Sequence, residues 1–172
     1  KLTLEDIYSK NIYYSKGTGP LRWMKDNKSY STVEYNTAAG GSDIVRYDVV
    51  SGTHSTLINA SQLVPAPGRK PISIADYVWS DDNSKLLLFN NTKKVWRYNT
   101  RGDYWVLNLK NGQLTQIGKG LPESTLMFAK FSPDGSRVAY VSNLNIYAED
   151  IATGVITQLT KDGGGDIING TF

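Results

Sequence analysis

Three segments of the chain repeat one plan. The first runs from "LRWMKDNKSYSTVEY" into "DIVRYDVVSGTHSTLI". The second runs from "DYVWSDDNSKLLLFN" into "DYWVLNLKNGQLTQI", and the third from "MFAKFSPDGSRVAYVS" into "NIYAEDIATGVITQL". In each, an aromatic (Trp23, Trp79, Phe131) closes an opening strand. Three residues on comes an acid (Asp26, Asp82, Asp134), then a residue that accepts positive φ (Asn27, Asn83, Gly135). Asp-Asn and Asp-Gly suit tight hairpins because side chain and backbone both favour the left-handed region. A second turn closes on Gly52, Gly112 and Gly154, four residues after Asp48, Asn108 and Asp150. Each unit therefore reads as four short strands with two tight turns. The anchor aromatics stand 56 and 52 residues apart. Four strands at such a period indicate β-propeller blades, which must stack because one blade cannot bury both its faces. A β-sandwich is the rival fold, but it offers no reason for the threefold match of aromatic, acid, turn residue and glycine.

The expected fold class is all-β: a propeller fragment of about three four-stranded antiparallel blades plus the start of a fourth. The blade-like units span about 18–58, 72–117 and 124–160 of one partial propeller domain, 1–172. The head "KLTLEDIYSKN" reads as a short helix capped by Thr3, with Asp6 three residues on. Residues 59–71 carry three prolines and read as an extended crossing. The tail "KDGGGDIINGTF" reads as a Gly-rich turn and the beginning of a further strand. Propellers close with four to eight blades, so the chain is expected to be a fragment or to need partner blades.

Composition removes several classes. A hydrophobic share of 40% with 20% charged residues is globular rather than disordered. Net charge is +3 without a dense basic tract, so no nucleic-acid partner is expected. With no cysteine, disulfides and thiolate metal sites are excluded. No apolar run reaches the roughly 20 residues of a membrane span. The single histidine, His54, sits beside Ser and Thr in "SGTHST" and reads as a solvated turn residue. No Gly-x-Ser-x-Gly elbow and no metal-ligand spacing occur, so neither a catalytic residue, a metal nor a cofactor is assigned. "DGGGD" at 162–166 lacks the strand-loop-helix setting of a phosphate loop and reads as a flexible turn.

One stretch departs from the repeat. From turn acid to closing glycine the units span 26, 30 and 20 residues in chain order. The excess in the second unit is "NNTKKVWRYNTRGDYWVLNL", which carries Lys93, Lys94, Arg97 and Arg101. It reads as an insertion that interrupts a hairpin between the second and third strands. Loops on one propeller face line the functional surface, so function is sought there.

"KKVWRYNTRGDYWVLNL", "FAKFSPDGSRVAYVSNLNIY" and the tail "GGGDIINGTF" together resemble the amino-terminal propeller of the dipeptidyl peptidase IV family. The head "LTLEDIY" is similar to the start of that family's mature region. The resemblance covers essentially the whole chain. It implies a parent that joins an eight-bladed propeller to a carboxy-terminal α/β-hydrolase domain. That parent would be a serine exopeptidase removing Xaa-Pro or Xaa-Ala dipeptides from peptide amino termini. Arg97 matches, by its Trp-Arg context, the arginine that holds the substrate backbone. The resemblance implies that the glutamate pair for the free α-amino group follows Asn169-Gly170, past Phe172. It also implies that the catalytic Ser, Asp and His lie in the hydrolase domain, outside this chain. The chain alone is expected to be inactive. Glu149 and Asp150 do not match the pair, because they fall on the third strand of the third unit. Trp96 and Tyr98 are expected to pack the loop, and Lys93, Lys94 and Arg101 to face solvent. The implied partners are a peptide with Pro or Ala second, the hydrolase domain and the remaining blades. Homodimerisation would run through parts mostly absent here. The implied location is the cell envelope, periplasmic or secreted. The rival reading is a non-enzymatic peptide- or protein-binding propeller of the cell envelope.

Overall fold

The structure, a computed structural model, describes residues 2–10, 12, 13, 17 and 19–171. It is all-β apart from one short helix, α1 (Leu4–Tyr8), and a 3-10 turn. Thr3 caps α1 as the sequence indicates, its Oγ1 accepting from the Asp6 N–H at 3.1 Å. Three antiparallel meanders follow. The first holds β1 (Arg22–Trp23), β2 (Ser29–Asn36), β3 (Gly41–Asp48) and β4 (His54–Ile58). The second holds β5 (Asp76–Trp79), β6 (Lys85–Val95), β7 (Tyr98–Asn108) and β8 (Leu114–Ile117). The third holds β9 (Leu126–Phe131), β10 (Arg137–Ser142), β11 (Asn145–Asp150) and β12 (Ile156–Gln158). The anchor aromatics do end the first strand of each blade. At that end Trp23, Trp79 and Phe131 line one open groove of about 750 Å³.

The repeated turns share one local chemistry. Asn27, Asn83 and Gly135 have φ of 56°, 55° and 65°. Each preceding aspartate accepts hydrogen bonds from its own turn. Asp26 takes the N–H of Lys28 and of Ser29, each at 2.9 Å, and Asp82 and Asp134 take those of Ser84 and Ser136 at 3.0 Å. Gly52, Gly112 and Gly154, each at φ 70°, donate to the carbonyls of Asp48, Asn108 and Asp150. The two turns of a blade are then tied together. Val49 donates to Lys28 O, Leu109 to Ser84 O and Ile151 to Ser136 O. Both hairpins are thus fixed at one end of the sheet, which leaves the other end free to vary.

Packing between blades supplies the cores. Ile44, Ile58, Leu63, Ile72, Tyr77, Leu86, Leu88 and Leu107 join the first blade to the second. Leu87, Tyr104, Val106, Ile117, Leu126, Ala129, Val138 and Tyr140 join the second to the third. The pleat sends Leu86 and Leu88 to one face and Leu87 to the other, so all three are buried. This explains the unbroken apolar run in "KLLLF".

Two segments differ from their sequence reading. Residues 59–71 are not simply extended, because Ala60–Leu63 form a 3-10 turn. Gln62 Oε1 accepts from the Asn59 N–H at 2.9 Å, and the turn buries Ala60 and Leu63 against the first core. His54 is solvent-exposed, as the sequence indicates, but it lies in a strand rather than in the turn. It starts β4 and stacks on Tyr47 at 5.3 Å, and Tyr47 stacks on Tyr30 at 5.4 Å. In the tail, Gly164 bridges Ile167, Gly163 donates to Asn145 Oδ1 at 3.0 Å, and Asn169 donates to the Leu144 carbonyl.

The turn aspartates set an acid limit. The Ser29 side chain first, then the turn N–H groups, hold Asp26 at about 2. The Ser132 hydroxyl does the same for Asp134, also to about 2, and the Ser84 hydroxyl lowers Asp82. Unfolded aspartate titrates near ~3.9. A depressed carboxyl pKa gives stability that is present above that value and lost as pH falls towards 2. Burial pushes Glu149 the other way, so its own contribution grows on acidification. We predict that the urea midpoint falls between about pH 4 and pH 2. Asp134→Asn, which keeps an acceptor but not the titration, should flatten this slope. An equally steep slope in that variant would show that other groups set the limit.

Candidate functional site

The cationic stretch is a continuous hairpin, not an interrupted one. β6 and β7 each run 11 residues, and their pairing extends from Lys85↔Asn108 to Val95↔Tyr98. Trp96 and Arg97 alone make the turn. The excess length therefore lies in the strands, which slip register twice, between Asn90 and Lys93 and between Lys93 and Lys94. Trp96 takes φ 59°, where tight hairpins ordinarily carry glycine or asparagine. A bulky residue held there stores strain, a feature that clusters at functional sites.

The tip stands in solvent. Trp96 is 93% exposed and Tyr98 74%, so they do not pack the hairpin as the sequence suggested. Arg97 is exposed and makes no hydrogen bond or ion pair among the described residues. Lys93, Lys94 and Arg101 are likewise exposed and without an anionic partner among the described residues. Lys93 lies directly opposite Arg101. Like charges so placed oppose pairing. The fork of donors on Arg97 is thus free to meet a carbonyl or carboxylate from outside. Asn99 and Thr100 also help wall a pocket of about 200 Å³ with Asp76, Phe89, Tyr104 and Phe128.

The root is held as firmly as the tip is bare. β9 of the third blade pairs with β7 at Gly102↔Leu126 and Arg101↔Met127. At Gly102 an added Cβ would lie 2.4 Å from Phe89 Cε2 and 2.6 Å from Asn90 O. Only glycine fits under that ring. Beside it Asp103 is buried, and its Oδ1 accepts from the Ser124 N–H at 2.6 Å. Its Oδ2 accepts from Asn91 Nδ2 at 2.7 Å, and Ser124 Oγ donates to Asn91 O at 2.6 Å.

Other acids serve the framework. Glu149 lies on β11, as expected, and is only 3% exposed. It accepts from the Gly118 N–H at 2.7 Å and so clips the end of the second blade to the third. Asp150 caps its own turn through Ala152 and Thr153. Asp162, in the "DGGGD" run, accepts from Asn169 Nδ2 at 3.1 Å. Sequence reasoning missed the Glu149 and Asp103 contacts. Both bridge blades and leave no local pattern.

Residues 80–172, which include the whole hairpin, match the family model described as the dipeptidyl peptidase IV N-terminal region. The chain belongs to this family. Relatives agree with it. A probable dipeptidyl-aminopeptidase B of Aspergillus oryzae is 25% identical over 148 residues, covering 84% of this chain and 15% of the relative. Its namesake from Tuber melanosporum is 24% identical over 179 residues, covering 99% of this chain and 19% of the relative. The crystal structure of Porphyromonas gingivalis dipeptidyl peptidase 4 superposes with TM-score 0.75 at 25% identity, covering 94% of this chain and 22% of that one. The tricorn protease, at 12% identity and TM-score 0.55, shares the fold alone. This dipeptidyl peptidase IV-family chain thus spans less than a quarter of the length of each of these four proteins. Among the described residues no helix is long and apolar enough to cross a membrane.

Gly102 gives the most direct check on the hairpin's root. Gly102→Ala must displace Phe89 or the Asn90 carbonyl, at a cost of about 1–3 kcal/mol. A lower urea midpoint and faster amide exchange along residues 90–103 are expected. Unchanged exchange there would contradict the close approach.

Proposed function

We propose that this chain is the substrate-binding part of the propeller of a serine exopeptidase. The parent enzyme releases Xaa-Pro or Xaa-Ala dipeptides from peptide amino termini. Arg97 holds the substrate backbone. The observation that carries this reading is the combination at the hairpin tip. A guanidinium without a partner among the described residues is presented on a two-residue turn, at the end of two paired strands whose root is fixed. Family membership supports the peptide as its target.

A guanidinium suits this task. It keeps its proton at any working pH, and its planar fork defines the direction of an accepting carbonyl where an ammonium would not. Held so, the peptide loses orientational freedom on binding rather than at the barrier, with no bond chemistry required of the propeller. Bond cleavage then belongs to a hydrolase domain outside this chain. On this reading the 172-residue chain hydrolyses nothing alone. The glutamates that bind the peptide's free amine follow the "DIING" segment in the parent. The enzyme works in the cell envelope or outside the cell.

The test is kinetic. In the full-length polypeptide, Arg97→Ala should lower kcat/KM for a Gly-Pro chromogenic substrate by at least about tenfold, or ~1.4 kcal/mol. Arg97→Lys should recover only part of the loss. Unchanged kinetics in a folded variant would remove Arg97 from the substrate.

A further inference from the structure

Among the described residues nothing bonds to the exposed side chains of Trp96, Arg97 and Tyr98, so the position of the hairpin tip is decided at its root. The last residue of β7 paired with another blade is Arg101, opposite Met127. From there four residues reach Arg97, an arm of roughly 13 Å, so a tilt of about 10° at the root moves the tip by about 2 Å. A misplacement of that size is enough to cost about a hundredfold in a positioned reaction.

One side chain joins both strands of the root to the next blade. Asp103 on β7 is 9% exposed. It receives Asn91 Nδ2 from β6 at 2.7 Å and the Ser124 N–H, just before β9, at 2.6 Å. The Ser124 hydroxyl returns to the Asn91 carbonyl at 2.6 Å, which closes a ring of contacts over three chain segments. Asn91 and Ser124 have φ of 44° and 57°, so their backbones alone would not hold these shapes cheaply. Asp103 has no ion pair among the described residues, and its two bonds come from neutral donors. The slip of register between Asn90 and Lys93 occurs at the same level. There the ladder is interrupted, and a side-chain lock supplies a tie that backbone pairing does not.

We propose that Asp103 is a positioning residue for Arg97. By locking the hairpin root to the third blade it fixes where the guanidinium stands relative to a bound peptide. The proposal rests on the reading that Arg97 holds the substrate. Asp103 itself is buried and touches no peptide; it acts only through the hairpin.

A double-mutant cycle in the full-length polypeptide separates this from a bond that merely stabilises the fold. Asp103→Ala should lower kcat/KM for the Gly-Pro chromogenic substrate by about tenfold and, in an Arg97→Ala background, by less than about twofold. Equal losses in both backgrounds would overturn the proposal, because Asp103 would then act independently of Arg97. Should Asp103→Ala not fold, Asn91→Asp takes its place. It sets two carboxylates face to face, acceptor against acceptor, which no rotation relieves. Adding Asp103→Asn restores the pairing in reverse and should restore activity. Failure of that exchange to restore activity would also overturn the proposal. If Arg97→Ala alone leaves the kinetics unchanged, the reading of Arg97 fails. If only the Asp103 and Asn91 variants are silent, the positioning role fails by itself.

Discussion

Everything in this chain depends on the inability of a four-stranded blade to bury both its faces. The second blade shows the consequence. Its strand β6 sends Leu86 and Leu88 into the core shared with the first blade and Leu87 into the core shared with the third. Full burial of a leucine is worth about 1.5–3 kcal/mol, and here adjacent residues gain it on opposite faces. The sheet is therefore clamped from both sides along Leu86 to Leu88. The strands run on past that clamp, and from Asn91 to Arg101 most of their side chains are exposed. The long hairpin is the part of the second blade that the stacked cores do not cover.

This division separates a packed core from an exposed tip along one pair of strands. At one end are the aspartate turns, tied together across each blade by backbone bonds. At the other end the chain is free to lengthen a hairpin and to carry positive charge that has no partner among the described residues. Between them lies a narrow zone where the second blade meets the third through β7 and β9, Gly102, Asp103 and Ser124. A propeller can vary what it presents above that zone without disturbing what lies below it. This is how a repeated framework comes to hold one blade unlike the others.

The turns were legible in the sequence because their causes are local. Asp26, Asp82 and Asp134 bond to residues two or three positions away, and Asn27 and Asn83 declare positive φ by type. The blade count followed from them. The hairpin was misread because its strands slip register at Asn90 and Lys93, where the polar run "NNTKK" hides the alternation of a strand. Trp96 at positive φ is also not a residue that announces a turn. Arg97 stood out only by resemblance, since composition made it one cation of four. The bonds from Asp103 to Ser124 and from Glu149 to Gly118 cross 21 and 31 residues, and no spacing rule reaches that far. An isolated aspartate in "RGDYW" gives no sign that it is buried.

The central claim is that the hairpin tip meets the peptide while its root stays still. Amide hydrogen exchange on the full-length polypeptide, with and without a slowly cleaved Xaa-Pro peptide, tests it most directly. The account predicts added protection at residues 95–99 on peptide binding, with residues 101–104 already protected and unchanged. Peptide binding that leaves the exchange of residues 95–99 unaltered would contradict it.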